Sequence, residues 1–342
     1  MSMMQAARLH DIGGPANLRL EDVERPQPGA GEILVRVRAA AFNRRDIYIT
    51  QGLYPNIVLP CTLGADGAGT VESLGAGAQG FAVGDEVVID PMIGWGPDPR
   101  VWSKDATLLG MPRNGTFAQY VVVPQQNVYR KPAALAMEEA AAIPLAGLTA
   151  YRAVFTRGEL RPGETILIPG VGGGVQTYAL LFAKSAGARA IVTSGSDEKL
   201  ERARALGADE TINYTTTPDW HKVVRTLGPV DVVVDSSGGD TLSKSLSAVR
   251  PGGRIVIYGG TRPESTFRLF PLFWNHIDIR GTSMGSPADF SAMLELFERG
   301  MKPAVDRVFP MDRIAEAAAR MASGDQFGKI VLRIDEERLS AS

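Results

Sequence analysis

Residues 165–197, TILIPGVGGGVQTYALLFAKSAGARAIVTSGSD, constrain the fold more than any other stretch of the chain. Ile166, Leu167 and Ile168 form a short apolar run with a β-branched bias, ending at Pro169-Gly170 as a buried parallel strand does. Gly170, Gly172, Gly173 and Gly174 follow. From Val175 to Ser185, Tyr178, Leu181 and Phe182 recur at helical spacing, Gly187 supplies a C-cap, and Ala190 to Thr193 read as the next strand. Strand, glycine loop and helix in that order make a pyrophosphate site. Loop N–H groups approach the anion with no Cβ in the way, and the helix N-terminus adds about half a positive charge. We expect Gly170, Gly172, Gly173, Gly174 and Val175 to cradle a dinucleotide. A tight turn in an ordinary α/β unit is the other reading, and the third glycine of G-x-G-x-x-G would fall at Val175, so the fingerprint is not strict.

At 342 residues the chain is too long for one ordinary core and predicts two domains. Lys and Arg number 36 against 38 Asp and Glu, so no excess charge points to nucleic acid or an anionic membrane surface. No apolar run is long enough to span a bilayer, and no charged-then-apolar stretch with a small-residue cleavage site is seen, so neither a spanning helix nor a signal peptide is expected. Cys61 is the single cysteine, which excludes an intrachain disulfide. The expectation is a cytoplasmic enzyme.

Up to about Arg130 the chain reads as short strands broken by Pro and Gly: Glu32 to Ala40, Gly67 to Glu72, Glu86 to Ile89 and Thr116 to Val123. Residues 90–114 lack periodicity and read as an excursion. An alanine-rich helix over Met137 to Ala142 marks the change of domain. Beyond it, strands near Ile166, Ala190, Glu210, Val230, Arg254 and Ile277 alternate with helical segments, which predicts a doubly wound parallel sheet. A strand, helix and strand after Lys302 are too small to fold alone. The expected division is 1–132 with 303–342 as a β-barrel-type domain, discontinuous in sequence, and 133–302 as a Rossmann-like nucleotide domain.

Phe42-Asn43-x-x-Asp46 with Tyr48 and Tyr54, Leu63-Gly64-x-Asp66-Gly67-x-Gly69, Gly84-Asp85-Glu86-Val87, Gly115-Thr116-Phe117-Ala118-x-Tyr120, Leu145-x-Gly147-Leu148-Thr149-Ala150-Tyr151 and Gly328-Lys329 run through nearly the whole chain. This pattern resembles the medium-chain dehydrogenase/reductases, in the branch of the zinc-free quinone oxidoreductases. The resemblance implies a GroES-like catalytic domain, a Rossmann-like partner domain with a cleft between them, and a homodimer paired through the strand near 277–281. It also implies that Thr149 sits beside the nicotinamide and that Lys329 returns the tail to the cofactor cleft. In the ungapped match, Gln176 stands where these relatives carry a glycine.

Zinc-dependent members carry Cys and His ligands where this chain has Asn43, Ala65 and Leu145-Ala146. A catalytic zinc needs about three such ligands, so no metal site and no zinc are expected. A site built on Asp46 and Asp66 alone remains the metal alternative, and Arg44 and Arg45 read as surface charges. For the cofactor, the position after the second strand that carries an acidic residue in NAD-selective domains holds Ser194-Gly195-Ser196, with Lys199 just beyond. Nothing there repels a 2′-phosphate, and a lysine can hold one. The resemblance associates Lys199 and Tyr214 with that phosphate. NADPH is therefore expected, with NADH possible because Asp197 is close. Ser236 and Gly259, after the fourth and fifth strands, are expected at the nicotinamide half, since ligands gather at strand C-termini in such sheets.

Without a metal, donors must hold the charge that develops on a substrate oxygen, which suits a conjugated acceptor. Asn43, Tyr48 and Tyr54 are the catalytic candidates. The function expected is NADPH-dependent reduction of a quinone or an α,β-unsaturated carbonyl. The alternatives are an alcohol dehydrogenase of zinc-dependent ancestry and a weakly catalytic NADPH sensor.

Overall fold

The computed structural model describes residues 2–334. They form two compact units: Ala146–Gly285 is one, and the chain before and after it is the other.

In the first unit the ten-residue strand Glu32–Ala41 is the organiser. It pairs antiparallel with Asp66–Leu74, with Tyr120–Pro124 and with Lys329–Arg333. Val35 and Val37 are buried and Arg36 and Arg38 half-buried, the alternation read from the sequence. Lys329–Arg333 also pairs with Val305–Pro310, so the C-terminal segment is part of this sheet. The core of the unit is a contiguous apolar cluster that includes Ile33, Val35, Phe42, Ile47, Phe117 and Ile330.

Two expectations need correction here. The predicted strand Thr116 to Val123 begins at Tyr120, because residues before it are drawn aside: Ala118 bridges Ala6, and the Thr116 hydroxyl donates to the Asp66 carbonyl at 2.6 Å. Within the excursion, Met92–Ile93 pairs with Thr107–Leu108. Residues 133–145 and 286–302 lie with the first unit, not the second. The alanine-rich helix Met137–Ala142 packs on four strands of the first sheet, with Ala140, Ala141 and Ala142 fully buried. Phe290, on the helix Pro287–Glu298, lies 4.6 Å from the Tyr129 ring. Small side chains bring a helix close to a sheet, and the composition change marks that packing, with the junction a few residues later.

The second unit holds six parallel strands: β1 (Thr165–Ile168), β2 (Arg189–Ser194), β3 (Glu210–Asn213), β4 (Val230–Asp235), β5 (Val249–Ile257) and β6 (Asp278–Gly281), in the order β3-β2-β1-β4-β5-β6. Helices α1 (Gly174–Ser185), α2 (Asp197–Ala205), α3 (Trp220–Thr226) and α4 (Asp240–Ala248) connect them. All four residues of β1 and all six of β4 are buried, as strands covered on both faces must be. The order reverses between β1 and β4, which puts a topological switch point beside the glycine loop.

Candidate active site

The glycine loop follows β1, and Gly173 is the N-cap of α1. The first-turn N–H groups of α1 have no acceptor within the helix, which is the condition for binding an anion there. Gly172 has φ +140, and a Cβ on it would come 2.9 Å from Lys199 Cδ and 3.4 Å from Nζ. The Lys199 chain thus reaches back from α2 toward the loop. Ser196 caps α2, its Oγ accepting from the Lys199 N–H at 3.3 Å, and the Ser196 N–H donates to Ser194 Oγ at 3.3 Å. Gly195 is where the Tyr214 ring closes in, since a Cβ there would stand 2.9 Å from the ring carbon Cε2. Ser194, Ser196, Lys199 and Tyr214 therefore meet at the end of β2 beside Gly172. Asp197 is turned to Asn213, whose Nδ2 donates to it at 2.7 Å.

Across the switch point, Gln176 Nε2 donates to Ser236 Oγ at 3.3 Å, and Ser236 Oγ donates to the Tyr258 hydroxyl at 3.0 Å. The glutamine that replaces the expected glycine thus links the first turn of α1 to the loop after β4. A Cβ on Gly259 would lie 3.2 Å from Ser236 Cβ, so the loops after β4 and β5 touch. Asp235, at the end of β4, accepts from the Ser237 N–H at 2.8 Å, while burial pushes its carboxyl above the usual range. Thr149 is buried on the helix Pro144–Tyr151.

The first unit contains a second polar centre, assembled from distant segments. Asn43 is the N-cap of the helix Arg44–Thr50, and its backbone N–H donates to Asp46 Oδ2 at 2.7 Å. Its side-chain Nδ2 donates to Asp66 Oδ2 at 2.9 Å. The Lys329 ammonium donates to Asn43 Oδ1 at 2.7 Å and to Asp66 Oδ2 at 2.8 Å. Asp66 Oδ1 accepts the Leu145 N–H at 2.8 Å. Asn43, Asp46, Asp66 and Lys329 are all buried. Burial pushes the Asp46 carboxyl up to about 6, against the pull of Arg45 and the Asn43 N–H.

Lys329, expected where the tail returns to the cofactor cleft, donates to Asp66 and Asn43. Asn43 in turn has its carbonyl oxygen occupied, leaving one N–H of its amide as donor. Tyr48 and Tyr54 are half-buried near that helix, with the Arg44 guanidinium carbon 5.9 Å from the Tyr48 ring centre and that of Arg45 5.0 Å from the Tyr54 ring centre. Arg45 is not a surface charge. It is buried, and its guanidinium donates to the carbonyls of Leu109, Gly110 and Met111 at 3.0, 3.3 and 3.0 Å, tying the excursion to the helix. No signal in the sequence marks this role, because its partners are backbone oxygens more than sixty residues away. Arg44 is exposed and donates to the Met321 carbonyl at 2.8 Å.

Two family models match: an alcohol dehydrogenase GroES-like domain over residues 29–133 and a zinc-binding dehydrogenase domain over residues 174–299. A zinc-type alcohol dehydrogenase-like protein of Schizosaccharomyces pombe is 38% identical over 342 residues, covering 96% of this chain and 98% of that protein. The chain belongs to the medium-chain dehydrogenase/reductase superfamily. Human quinone oxidoreductase is 28% identical, with 96% of this chain and 98% of that protein covered. The crystal structure of an NAD-dependent alcohol dehydrogenase superposes with a TM-score of 0.91 at 40% identity, over 97% of this chain and all of that one.

Such an enzyme is an NAD(P)-dependent oxidoreductase, and the second unit fits the cofactor: a cradle that a Cβ at Gly172 would fill, at a helix N-terminus, on a 3-2-1-4-5-6 sheet. The zinc of zinc-binding members fits less well. Among the described residues no group of three or more His, Cys, Asp or Glu side chains is placed to hold a metal. At Asn43 and Asp66 the oxygens that face each other are bonded to an ammonium, which repels a second cation.

Proposed function

We propose that this medium-chain dehydrogenase/reductase uses NADPH to reduce a quinone or an α,β-unsaturated carbonyl, without zinc. The observation that carries the reading is the Lys329 ammonium lodged between Asp66 and Asn43, a cation built into the polar centre of the GroES-like unit. When bound, the nicotinamide supplies a hydride. The protein's part is to bind, orient and hold charge. Lys199, Ser194, Ser196 and Tyr214 favour the 2′-phosphate, with no carboxylate after β2 turned to oppose it, because Asp197 is bonded to Asn213. Ser236 and Gly259 form the nicotinamide wall, and Thr149 lies beside it. Tyr48 and Tyr54 are the hydroxyl donors for a substrate oxygen, and Asn43 retains one amide N–H for the same use. Conjugate reduction suits such donors, since the negative charge reaches an oxygen they can hold.

Alcohol oxidation is the second reading, favoured by the names of the relatives above. A side-by-side assay separates the two. NADPH oxidation by 9,10-phenanthrenequinone or an enone, faster than NADH oxidation, is expected. Alcohol-dependent reduction of NAD, together with stoichiometric zinc in extensively dialysed protein, would overturn the proposal, and cofactor binding without turnover across the panel would favour a sensor.

The enzyme is further proposed to be a cytoplasmic homodimer. No helix among the described residues is long and apolar enough to cross a membrane. β6 is the edge of its sheet, and the helix Leu269–Trp274 exposes Leu269, Phe270, Phe273 and Trp274, with Phe270 and Trp274 stacked at 5.3 Å. An open strand edge and an apolar patch are both features that a second copy covers.

A further inference from the structure

The loops after β4 and β5 are bonded to each other along their backbones. The Tyr258 N–H donates to the Asp235 carbonyl at 3.1 Å, that of Thr261 to Ser236 at 2.9 Å and that of Arg262 to Ser237 at 3.0 Å. Tyr258 directly follows β5, so it is held at the C-terminal edge of the sheet, where ligands gather, and it is half-buried. Its hydroxyl ends the chain of bonds that begins at Gln176. An amide nitrogen can only donate, so Ser236 Oγ accepts from Gln176 at 3.3 Å, and the serine proton goes to the Tyr258 oxygen at 3.0 Å. That leaves the phenolic proton, for which no acceptor stands among the described residues. Burial pushes the phenol upward, against the Ser236 hydrogen bond and with the help of the Asp235 carboxyl, so the proton stays on through the neutral range. A donor placed so, at the end of a chain of bonds that polarise one another, lacks only its acceptor.

We propose that Tyr258 holds the cofactor's nicotinamide by its carboxamide, the phenolic O–H donating to the carboxamide oxygen, with Gln176 and Ser236 as positioning residues that aim the phenol. The carboxamide carries the one carbonyl oxygen of the nicotinamide half, and the ring nitrogen, bonded to the ribose, accepts nothing. Fixing the carboxamide stops rotation about the bond from ring to ribose and so holds one orientation of the ring for transfer. The inference rests on the second unit binding a nicotinamide dinucleotide. It is independent of the substrate, of zinc and of the choice between NADPH and NADH.

The test is calorimetric titration of the full chain and of Tyr258→Phe with three ligands that share the adenosine end: NADP, its thionicotinamide analogue, whose sulfur is a poor acceptor, and 2′-phospho-ADP-ribose, which has no nicotinamide. Tyr258→Phe is expected to raise the Kd for NADP by about five- to tenfold and to change the other two by less than twofold. Wild type should therefore prefer NADP to the thionicotinamide analogue, and the variant should not. Equal losses for NADP and the analogue would put the phenol on the ribose, and equal losses for all three would put it on the diphosphate. A lowered Tm with all three affinities unchanged would make the chain of bonds a brace of the fold alone. Each of these three results overturns the proposal. If Tyr258→Phe does not fold, Ser236→Ala becomes the variant, since it leaves the phenol in place but unaimed. It is expected to weaken NADP about threefold, with 2′-phospho-ADP-ribose unchanged and Ser236→Thr restoring the loss; equal NADP affinity in Ser236→Ala and wild type overturns the proposal. A wild-type preference for NADH would count against the proposed function, and the same comparison made with NAD, thionicotinamide NAD and ADP-ribose would still decide this inference.

Discussion

The two polar sites of this molecule are built by opposite means. The proposed nucleotide site is local: β1, the glycine loop, α1 and β2 are consecutive, and Lys199, the cation proposed for it, lies 27 positions after Gly172, on the next helix. The Lys329 centre is non-local. It joins residue 43 at a helix cap, residue 66 at the start of a strand, residue 145 at a helix N-terminus and residue 329 on the last described strand. In the first site a lysine side chain reaches back over a loop that offers N–H groups. In the second a lysine is buried 2.8 Å from a carboxylate, and its charge is already used by the fold. One lysine is proposed for cofactor binding, and the other is bonded within the fold.

Replacing each lysine by methionine breaks the comparison most directly. Lys329→Met leaves Asp66 buried without its counter-charge and is expected to destabilise the first unit by about 3–5 kcal/mol, read as a lowered urea midpoint. Lys199→Met is expected to leave that midpoint within about 0.5 kcal/mol of wild type and to weaken NADPH, not NADH, by roughly tenfold or more. If the two variants lost equal stability, the distinction would fail.

Buried carboxylates sharpen it further, because Asp46 and Asp90, the carboxyls that burial pushes up furthest, both lie in the first unit. Burial pushes Asp90 up to about 7, against a single Met92 N–H that its Oδ1 accepts at 2.9 Å, while its Oδ2 has no partner among the described residues. A carboxyl whose folded pKa exceeds the unfolded one favours the native state at pH below the unfolded value, and that contribution is lost as pH rises through the folded value. Native stability should therefore fall between about pH 4 and 7 by up to about 4 kcal/mol from Asp90, with Asp46 acting in the same direction up to about pH 6. Asp90→Asn keeps the acceptor for the Met92 N–H and removes the charge. It should stabilise the protein at pH 8 and do little at pH 4; equal midpoints at pH 8 would show that Asp90 is not strained by its burial.

At the nucleotide site the matching change is Ser194→Asp, which introduces a carboxylate after β2. The ratio of kcat/KM for NADPH to that for NADH should fall by about tenfold or more, with no change in the urea midpoint beyond about 0.5 kcal/mol. An unchanged ratio would mean that the ribose does not lie at Ser194.

The contrast also explains what could be read from the chain beforehand. Strands β1, β2 and β4 and helix α1 fall within a residue or two of their expected limits, because apolar period and glycine punctuation act over a few neighbours. Asn43 and Lys329 could be singled out by motif, but their bond to each other spans 286 positions and depends on the last strand pairing with Glu32–Ala41. Arg45 was misread for the same reason: three carbonyl acceptors leave no trace in residue type. Where a site is closed by topology, the pattern of side chains names its members and not its bonds.

Gln176 is the smallest test and the one that touches both ways of building. It stands in the first turn of α1, where the quinone oxidoreductases that the sequence resembles carry glycine, yet its amide reaches Ser236 after β4 at 3.3 Å, and Ser236 continues to Tyr258 on the chain after β5. This is a single long bond across the switch point within an otherwise local site. Gln176→Gly removes that bond and lowers helix propensity at one position, for an expected loss of about 1–2 kcal/mol in the second unit. Because the N–H groups of the first turn remain, NADPH affinity should change less than threefold, measured by fluorescence titration. A loss of tenfold or more, with stability unaffected, would make Gln176 a cofactor ligand and would move the nucleotide site toward the non-local kind.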